Sequence, residues 1–408
     1  MTTGERSGGP VPEGRWAWAQ IDLDAIAHNV DVLRTTVAPA EVWAVVKADA
    51  YGHGAVPVAR AALGAGAVGL CVALVEEAAE LRAAGVDAPV LVLSEQPPST
   101  AVDAVQLGLI STVYSIDQLD ALQSAGAQAH RVQVKVDTGM HRVGCAPADV
   151  LSLVHEIGRR STFVLDGVFT HLAVADEPSD PYTNGQLDRF DEVLASIRAA
   201  GVEPGRVHAS NSAGALAHPR AHYDLVRIGI ALYGIEPGRG VEHLCRELRP
   251  ALSLHARVSH VKRMNAGDRI SYGLRHAFDH DTSVATVPIG YADGVPRRLF
   301  ETHGQVLVQG RRCPIVGVVT MDQLMVDVGD LDVGIGEPAV LIGDVGSERV
   351  RAEEWAERLG TIGYEVVCGI SKRVARQHLP APASARQHRP PPASTGQRPP
   401  APPEGREP

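Results

Sequence analysis

The chain has 408 residues, 45% hydrophobic and 21% charged, with a formal net charge of −10. That length allows two domains with substantial cores, while the acidic balance argues against nucleic-acid binding, which needs a basic surface. No apolar run approaches a membrane span, and neither the five scattered cysteines nor the 17 histidines show metal-type spacing.

Residues 1–14 are polar and glycine-rich, without the apolar core of a signal peptide. They are expected to be disordered, and the cysteines read as reduced thiols of a cytoplasmic protein. Residues 16–23 look like a strand, one that could pair with a later domain. From about residue 41 to 234, short apolar runs alternate with helical stretches. The strand candidates are 42–46, 69–73, 90–93, 110–114, 132–136, 164–170, 207–210 and 225–231. Helical spacing fills 75–84, 147–159 and 186–200. Eight strand–helix units predict an α/β fold, a TIM-type (β/α)8 barrel with parallel strands, over residues 15–249. An open doubly wound sheet fits the same alternation, but the glycine-rich fingerprint at its first turn is missing.

After residue 249 the texture becomes mostly β, with strands expected at 252–261, 283–287, 306–308, 325–328 and 339–342. Helix signal returns only at 352–359. A mostly β C-terminal domain over 250–378 is predicted. The tail, 379–408, holds ten of the 28 prolines and cannot build a core, so it is expected to be disordered.

In a barrel, chemistry collects where strands end and loops begin. The first strand ends at Lys47, in Val45-Val46-Lys47-Ala48-Asp49-Ala50-Tyr51-Gly52-His53-Gly54. A lysine there needs a partner or a covalent bond. Partial desolvation makes its amine nucleophilic toward an aldehyde, the chemistry of a Schiff base with pyridoxal phosphate. Taken alone, a strand-end lysine reaching to solvent is the commoner case. Tyr51 would reach the same pocket. The fifth strand runs into Lys135, Asp137 and Arg142, the sixth ends at His171, the seventh at Ser212, and the eighth carries Arg227, Gly229 and Ile230. Ser212 with the amides of Gly229 and Ile230 suits a phosphate, although Ser212 is equally a helix N-cap. Arg227 would donate to a neutral pyridine nitrogen, which favours proton exchange over transamination. Lys135 close to Arg142 calls for a neutral amine or an anionic carbamate; an ion pair with Asp137 is the ordinary alternative. Tyr364 reads by default as a strand residue.

These strings together resemble the alanine racemases, pyridoxal-phosphate enzymes of the barrel type, over roughly residues 16–376. The resemblance implies an isomerase that interconverts L- and D-alanine by two-base α-proton exchange and supplies D-alanine for peptidoglycan. It implies Lys47 as the cofactor lysine and one base, with Tyr272 of the partner subunit as the other. Tyr51, Ser212, Gly229, Ile230 and Tyr364 would surround the phosphate. Arg227, backed by His171, would face the pyridine nitrogen, and Arg142 would steady the tyrosine and the substrate carboxylate. Lys135 matches a lysine that is often carbamylated. Met321 and Asp322 would reach the substrate carboxylate from the partner chain, and Asp176, Tyr291 and Arg297 would line the entrance. A cytoplasmic homodimer with shared sites follows, with no metal, nucleic acid or membrane. Val318 departs from the family, standing where relatives carry a basic residue at the entrance. A serine or broad-specificity racemase, a barrel decarboxylase, and a non-catalytic homologue that binds the cofactor or an inhibitor are the alternatives.

Overall fold

The computed structural model describes residues 14–379. The disorder expected at the two ends falls on residues outside these, apart from Gly14 and Leu379; Leu379 closes a strand. Among the described residues, no helix is long and apolar enough to cross a membrane.

The chain opens with β1 (Ala17–Asp22) and a helix, Leu23–Val37, capped by Asp22. Eight short strands follow: β2 (Glu41–Val45), β3 (Gly69–Val72), β4 (Val90–Val92), β5 (Ile110–Val113), β6 (His130–Lys135), β7 (Phe163–Phe169), β8 (Arg206–His208) and β9 (Leu225–Ile228). They form one parallel sheet in the order β8-β7-β6-β5-β4-β3-β2-β9. The ring is brought nearly to closure between β8 and β9, where Arg227 N donates to Ser210 O at 3.1 Å. Near-continuous Val, Ile and Leu make these strands buried on both faces, as helix-covered parallel strands must be. Their carboxyl ends all point to one mouth, and polar residues also lie within β6, β7 and β8, among them Gln133, Asp166 and His208. The expected TIM-type barrel is therefore what forms.

The second domain is mostly β. It contains β10 (Leu252–Arg257), β11 (His260–Met264), β12 (Arg269–Ile270), β13 (His276–Ala277), β14 (Thr282–Val287), β15 (Gln305–Val308), β16 (Arg311–Pro314), β17 (Leu324–Gly329), β18 (Pro338–Val345), β19 (Glu348–Val350) and β20 (Ala375–Leu379). The main sheet runs β16-β15-β18-β10-β1-β20, with β19 paired to β18. A second sheet is β11-β14-β17. The first strand of the chain thus lies inside the last domain, antiparallel to β10 and parallel to β20.

Three expectations need correction. The single strand expected over 252–261 is two strands in different sheets, because the chain switches partners at Val258 and Ser259. The strand expected over 225–231 stops at Ile228, and a tight turn over Ile230–Tyr233 wraps the Ser212 hydroxyl. Tyr364 lies in a helix, Gly363–Gly369, not in a strand.

Candidate active site

Lys47 follows β2 at the barrel mouth. Burial, and then the Arg142 charge, hold its amine below the usual lysine range. The four residues after it, Ala48 to Tyr51, all take left-handed backbone angles, with φ of 52 or 53°. Such a run costs energy for residues other than glycine. It is held by the Ala48 N–H donating to Glu77 Oε1 at 2.6 Å and the Ala55 N–H to Asp49 Oδ1 at 2.8 Å. Glu77 Oε2 also accepts from Ala73 N at 2.8 Å, which ties the first two strand ends together. The left-handed turn brings Tyr51 round against Tyr233 and Tyr364, at ring separations of 5.0 and 6.0 Å.

Opposite Tyr51 is a cradle of small groups. Ser212 Oγ accepts from Gly229 N at 2.9 Å and Ala231 N at 3.3 Å. A Cβ on Gly229 would come within 2.6 Å of Tyr51 Oη, so only glycine leaves this space open. The helix cap considered for Ser212 belongs to its neighbour: Asn211 Oδ1 accepts from Gly214 N at 2.9 Å, and Ser212 is the first helical residue. Two hydroxyls, backbone amides and a glycine gap match the needs of a phosphate.

Arg227 is buried and held on all sides. Its Nη2 donates to Thr170 O at 2.9 Å, to Ala209 O at 3.0 Å and to His171 Nδ1 at 3.1 Å. Its Nη1 lies 2.5 Å from His208 Nδ1. Both rings are pushed well below the usual histidine range, by burial and then by the Arg227 charge, so each is neutral and can accept. His208 escaped the sequence reading; its only signal was a polar residue inside an apolar strand.

Lys135 ends β6 with only 6% of its surface exposed. Its amine donates to Leu93 O at 3.1 Å. Burial, followed by the charges of Arg227, Arg142 and Lys47, pushes its pKa down to about 7. The alternative pairing with Asp137 does not form, since Asp137 pairs instead with His141 at 3.4 Å. Lys135, Arg142 and His171 line one small cleft. The second domain adds Tyr364, and with it Cys368, an exposed thiol close enough to Lys47 to feel its charge. Sequence reasoning passed over Cys368. Asp176 lies against Gly238, and its charge reaches Tyr364.

The remaining predicted residues form a separate surface. Tyr272 is 72% exposed, and Tyr291, Met321 and Leu274 are also exposed. Tyr291 N donates to Thr320 O and Ala292 N to Met321 O, both at 3.0 Å, which knits their loops together. Asp322 pairs with Arg373 at 2.6 Å, and Arg297 sits on a nearby short turn. The hydrogen bonds described for this group stay within the second domain and do not reach Lys47. Val318, expected at an entrance, is buried; its carbonyl accepts from Ser271 Oγ at 2.8 Å and anchors the turn that presents Tyr272. Among the described residues, no cluster of His, Cys, Asp and Glu could hold a metal ion.

Comparison with known proteins agrees with this geometry. The model of the alanine racemase N-terminal domain matches residues 21–237, and that of the C-terminal domain matches residues 251–378. The alanine racemase of Symbiobacterium thermophilum is 49% identical over 366 residues, covering 89% of this chain and 97% of that protein. That of Thermobifida fusca is 44% identical over 373 residues, covering 90% and 99%. The crystal structure of alanine racemase from D-cycloserine-producing Streptomyces lavendulae superposes with a TM-score of 0.86 at 39% identity, over 92% of this chain and all of that one. The Bacillus anthracis enzyme with bound L-Ala-P gives 0.85 at 40% identity, over 90% and 96%. The chain belongs to the alanine racemase family and is an isomerase that interconverts L- and D-alanine.

Proposed function

We propose that Lys47, and Tyr272 of the partner subunit, are the two bases of this racemase and act on opposite faces of a substrate held on pyridoxal phosphate. The product D-alanine would serve peptidoglycan synthesis in the cytoplasm. The observation that carries this reading is the partly buried Lys47 amine at the end of β2, on the same barrel mouth as the Tyr51–Ser212–Gly229 cradle beyond the neighbouring β9. Lys47 would carry the cofactor covalently, and Tyr51, Ser212, Gly229, Ile230 and Tyr364 would hold its phosphate. When bound, the cofactor withdraws electron density from the substrate α-carbon and so acidifies its proton. Arg227 cannot accept a proton; it would donate a hydrogen bond to the ring nitrogen and so leave that nitrogen neutral. Arg142 offers a guanidinium fork for the substrate carboxylate, and Met321 and Asp322 of the partner subunit would reach the same group. Asp176, Tyr291 and Arg297 would border the entrance. The exposed Tyr272, Tyr291 and Met321 support a homodimer, since apolar groups gathered on one surface favour association.

Incubation of L-alanine in deuterated buffer tests the two-base reading. D-alanine should carry solvent deuterium at its α-carbon from the earliest time points. Product that retains the substrate's own hydrogen would point to a single base. L-Serine and other amino acids run in parallel should turn over more slowly than L-alanine; faster serine turnover would reassign the substrate.

We further propose that Lys135 is carbamylated. Its neutral amine would attack carbon dioxide, forming one N–C bond, placing one electron pair on a carboxyl oxygen and releasing one proton to solvent. The resulting anion would relieve the crowding of Arg227, Arg142 and Lys47. With the amine near pKa 7, occupancy should rise as pH increases through that value and fall below it. Carbon-13 NMR after growth on labelled bicarbonate should show one carbamate per chain, and Lys135→Ala should be slower and partly rescued by acetate. Active enzyme without that signal would remove the proposal.

A further inference from the structure

A line of buried polar side chains leaves Arg227 and runs down the inside of the barrel, away from the mouth. His208 Nε2 lies 2.8 Å from Gln133 Oε1. Gln133 Nε2 donates to Asp166 Oδ2 at 2.8 Å. Asp166 also accepts from Arg131, Nε at 2.7 Å and Nη2 at 2.6 Å. His208 and Gln133 are wholly buried. Polar groups in such a core are costly unless every atom is partnered.

Only one set of proton positions satisfies the whole line. Asp166 as a carboxylate only accepts, so the Gln133 amide turns its nitrogen toward it and its oxygen toward His208. His208 Nε2 must then carry the ring's one proton and give it to Gln133 Oε1. That leaves Nδ1 bare to receive Arg227, whose guanidinium only donates. The three bonds from Arg227 to Asp166 point from the mouth toward the floor, and Arg131 donates to Asp166 from the far end. The ring is further clamped by stacking on Phe169, at 4.6 Å and 9°.

The backbone is shaped to allow this. Between β6 and β7 the register shifts: Val132 faces Leu165, but Gln133 faces Gly167, which leaves Asp166 as an extra residue. Such a bulge re-aims a side chain, and here the carboxylate meets both Arg131 and Gln133. A Cβ on Gly167 would lie 3.2 Å from Gln133 Cδ and 2.4 Å from Arg206 O, so glycine makes room for the amide.

We propose that Gln133 and Asp166 are positioning residues for racemization, setting through His208 the tautomer that receives Arg227 and so fixing the guanidinium at the mouth. The catalytic part of this rests on the reading of Arg227 given above; the tautomer does not.

The test uses the full-length enzyme with nitrogen-15-labelled histidine, both cofactor-free and loaded. The His208 signals are assigned by their absence from His208→Gln. In the wild type, Nε2 should be protonated and Nδ1 bare in both forms. Gln133→Leu removes the acceptor, so a second tautomer should appear, with kcat down about 10-fold and KM changed less than about twofold. Asp166→Asn keeps an acceptor oxygen and should show a smaller drop. A wild-type ring protonated on Nδ1 would overturn the proposal, and that measurement stands even if Gln133→Leu fails to fold. So would Gln133→Leu with unchanged tautomer and kcat. Arg227→Leu, run beside them, separates the two readings: if it leaves kcat intact while the tautomer behaves as expected, the assignment of Arg227 fails and the relay does not.

Discussion

Lys47→Ala should lower racemization by more than about 10³-fold, because one side chain is assigned both the covalent hold on the cofactor and one of the two proton transfers. The visible absorbance of bound cofactor should vanish with it, as should any label fixed on that peptide by borohydride. Thermal stability should change little. The amine is a partly buried charge, and its removal relieves a desolvation cost in place of breaking a contact. Lys135 cannot substitute, since its amine is committed to Leu93 O and lies over the Phe169 ring at 5.5 Å. Added methylamine should restore some activity by supplying a primary amine in the vacated space. A variant that keeps both the absorbance and the turnover would remove the central assignment.

Tyr272→Phe should cost about 10²- to 10⁴-fold in kcat, the range typical for loss of a positioned acid or base. The fold should be untouched, because the hydroxyl is on a side chain that is 72% exposed in the single chain. The sharper experiment mixes inactive Lys47→Ala chains with inactive Tyr272→Phe chains. If Tyr272 works across the dimer, one of the two hybrid sites has both residues intact, and verified heterodimers should recover up to half the wild-type rate per site pair. Heterodimers without activity would place Tyr272 and Lys47 in the same subunit's site, or remove the tyrosine from catalysis.

The barrel was legible because each strand is a short apolar run that ends in polar residues at a single face. Lys47, Lys135, His171, Ser212 and Arg227 could be placed without any contact information, since strand ends alone bring them to the mouth. Residues whose importance comes from across the sheet could not be found that way. His208 gains its role from Gln133 two strands away, and Asp166 from a bulge that no local pattern announces. The left-handed turn after Lys47 was also hidden, because Ala48, Asp49, Ala50 and Tyr51 give no sign of the positive φ that glycine would have signalled. Tyr364 was misread for a related reason. Its helix, Gly363–Gly369, is short, opens and closes on glycine, and is held by packing on the turn at Gly52 more than by helical propensity. In the second domain β20 was missed: Ala-Arg-Gln-His-Leu has no apolar alternation and becomes a strand only by lying along β1.

That pairing of β1 orders events on the ribosome. Ile21 finds its partner in β10 only when Leu252 has been made, and its partner in β20 only when His378 has. At ~5–20 residues per second, the first of these waits lasts roughly 10–50 s. The eight barrel strands can associate during that interval, while Ala17–Asp22 trails from the nascent chain as an unpaired segment bearing Trp18. An unpartnered strand of this kind is a template for another copy of itself. Translation that stalls before β10 therefore leaves β1 unpaired, and polypeptides released at that stage should be the ones that chaperones hold or proteases clear.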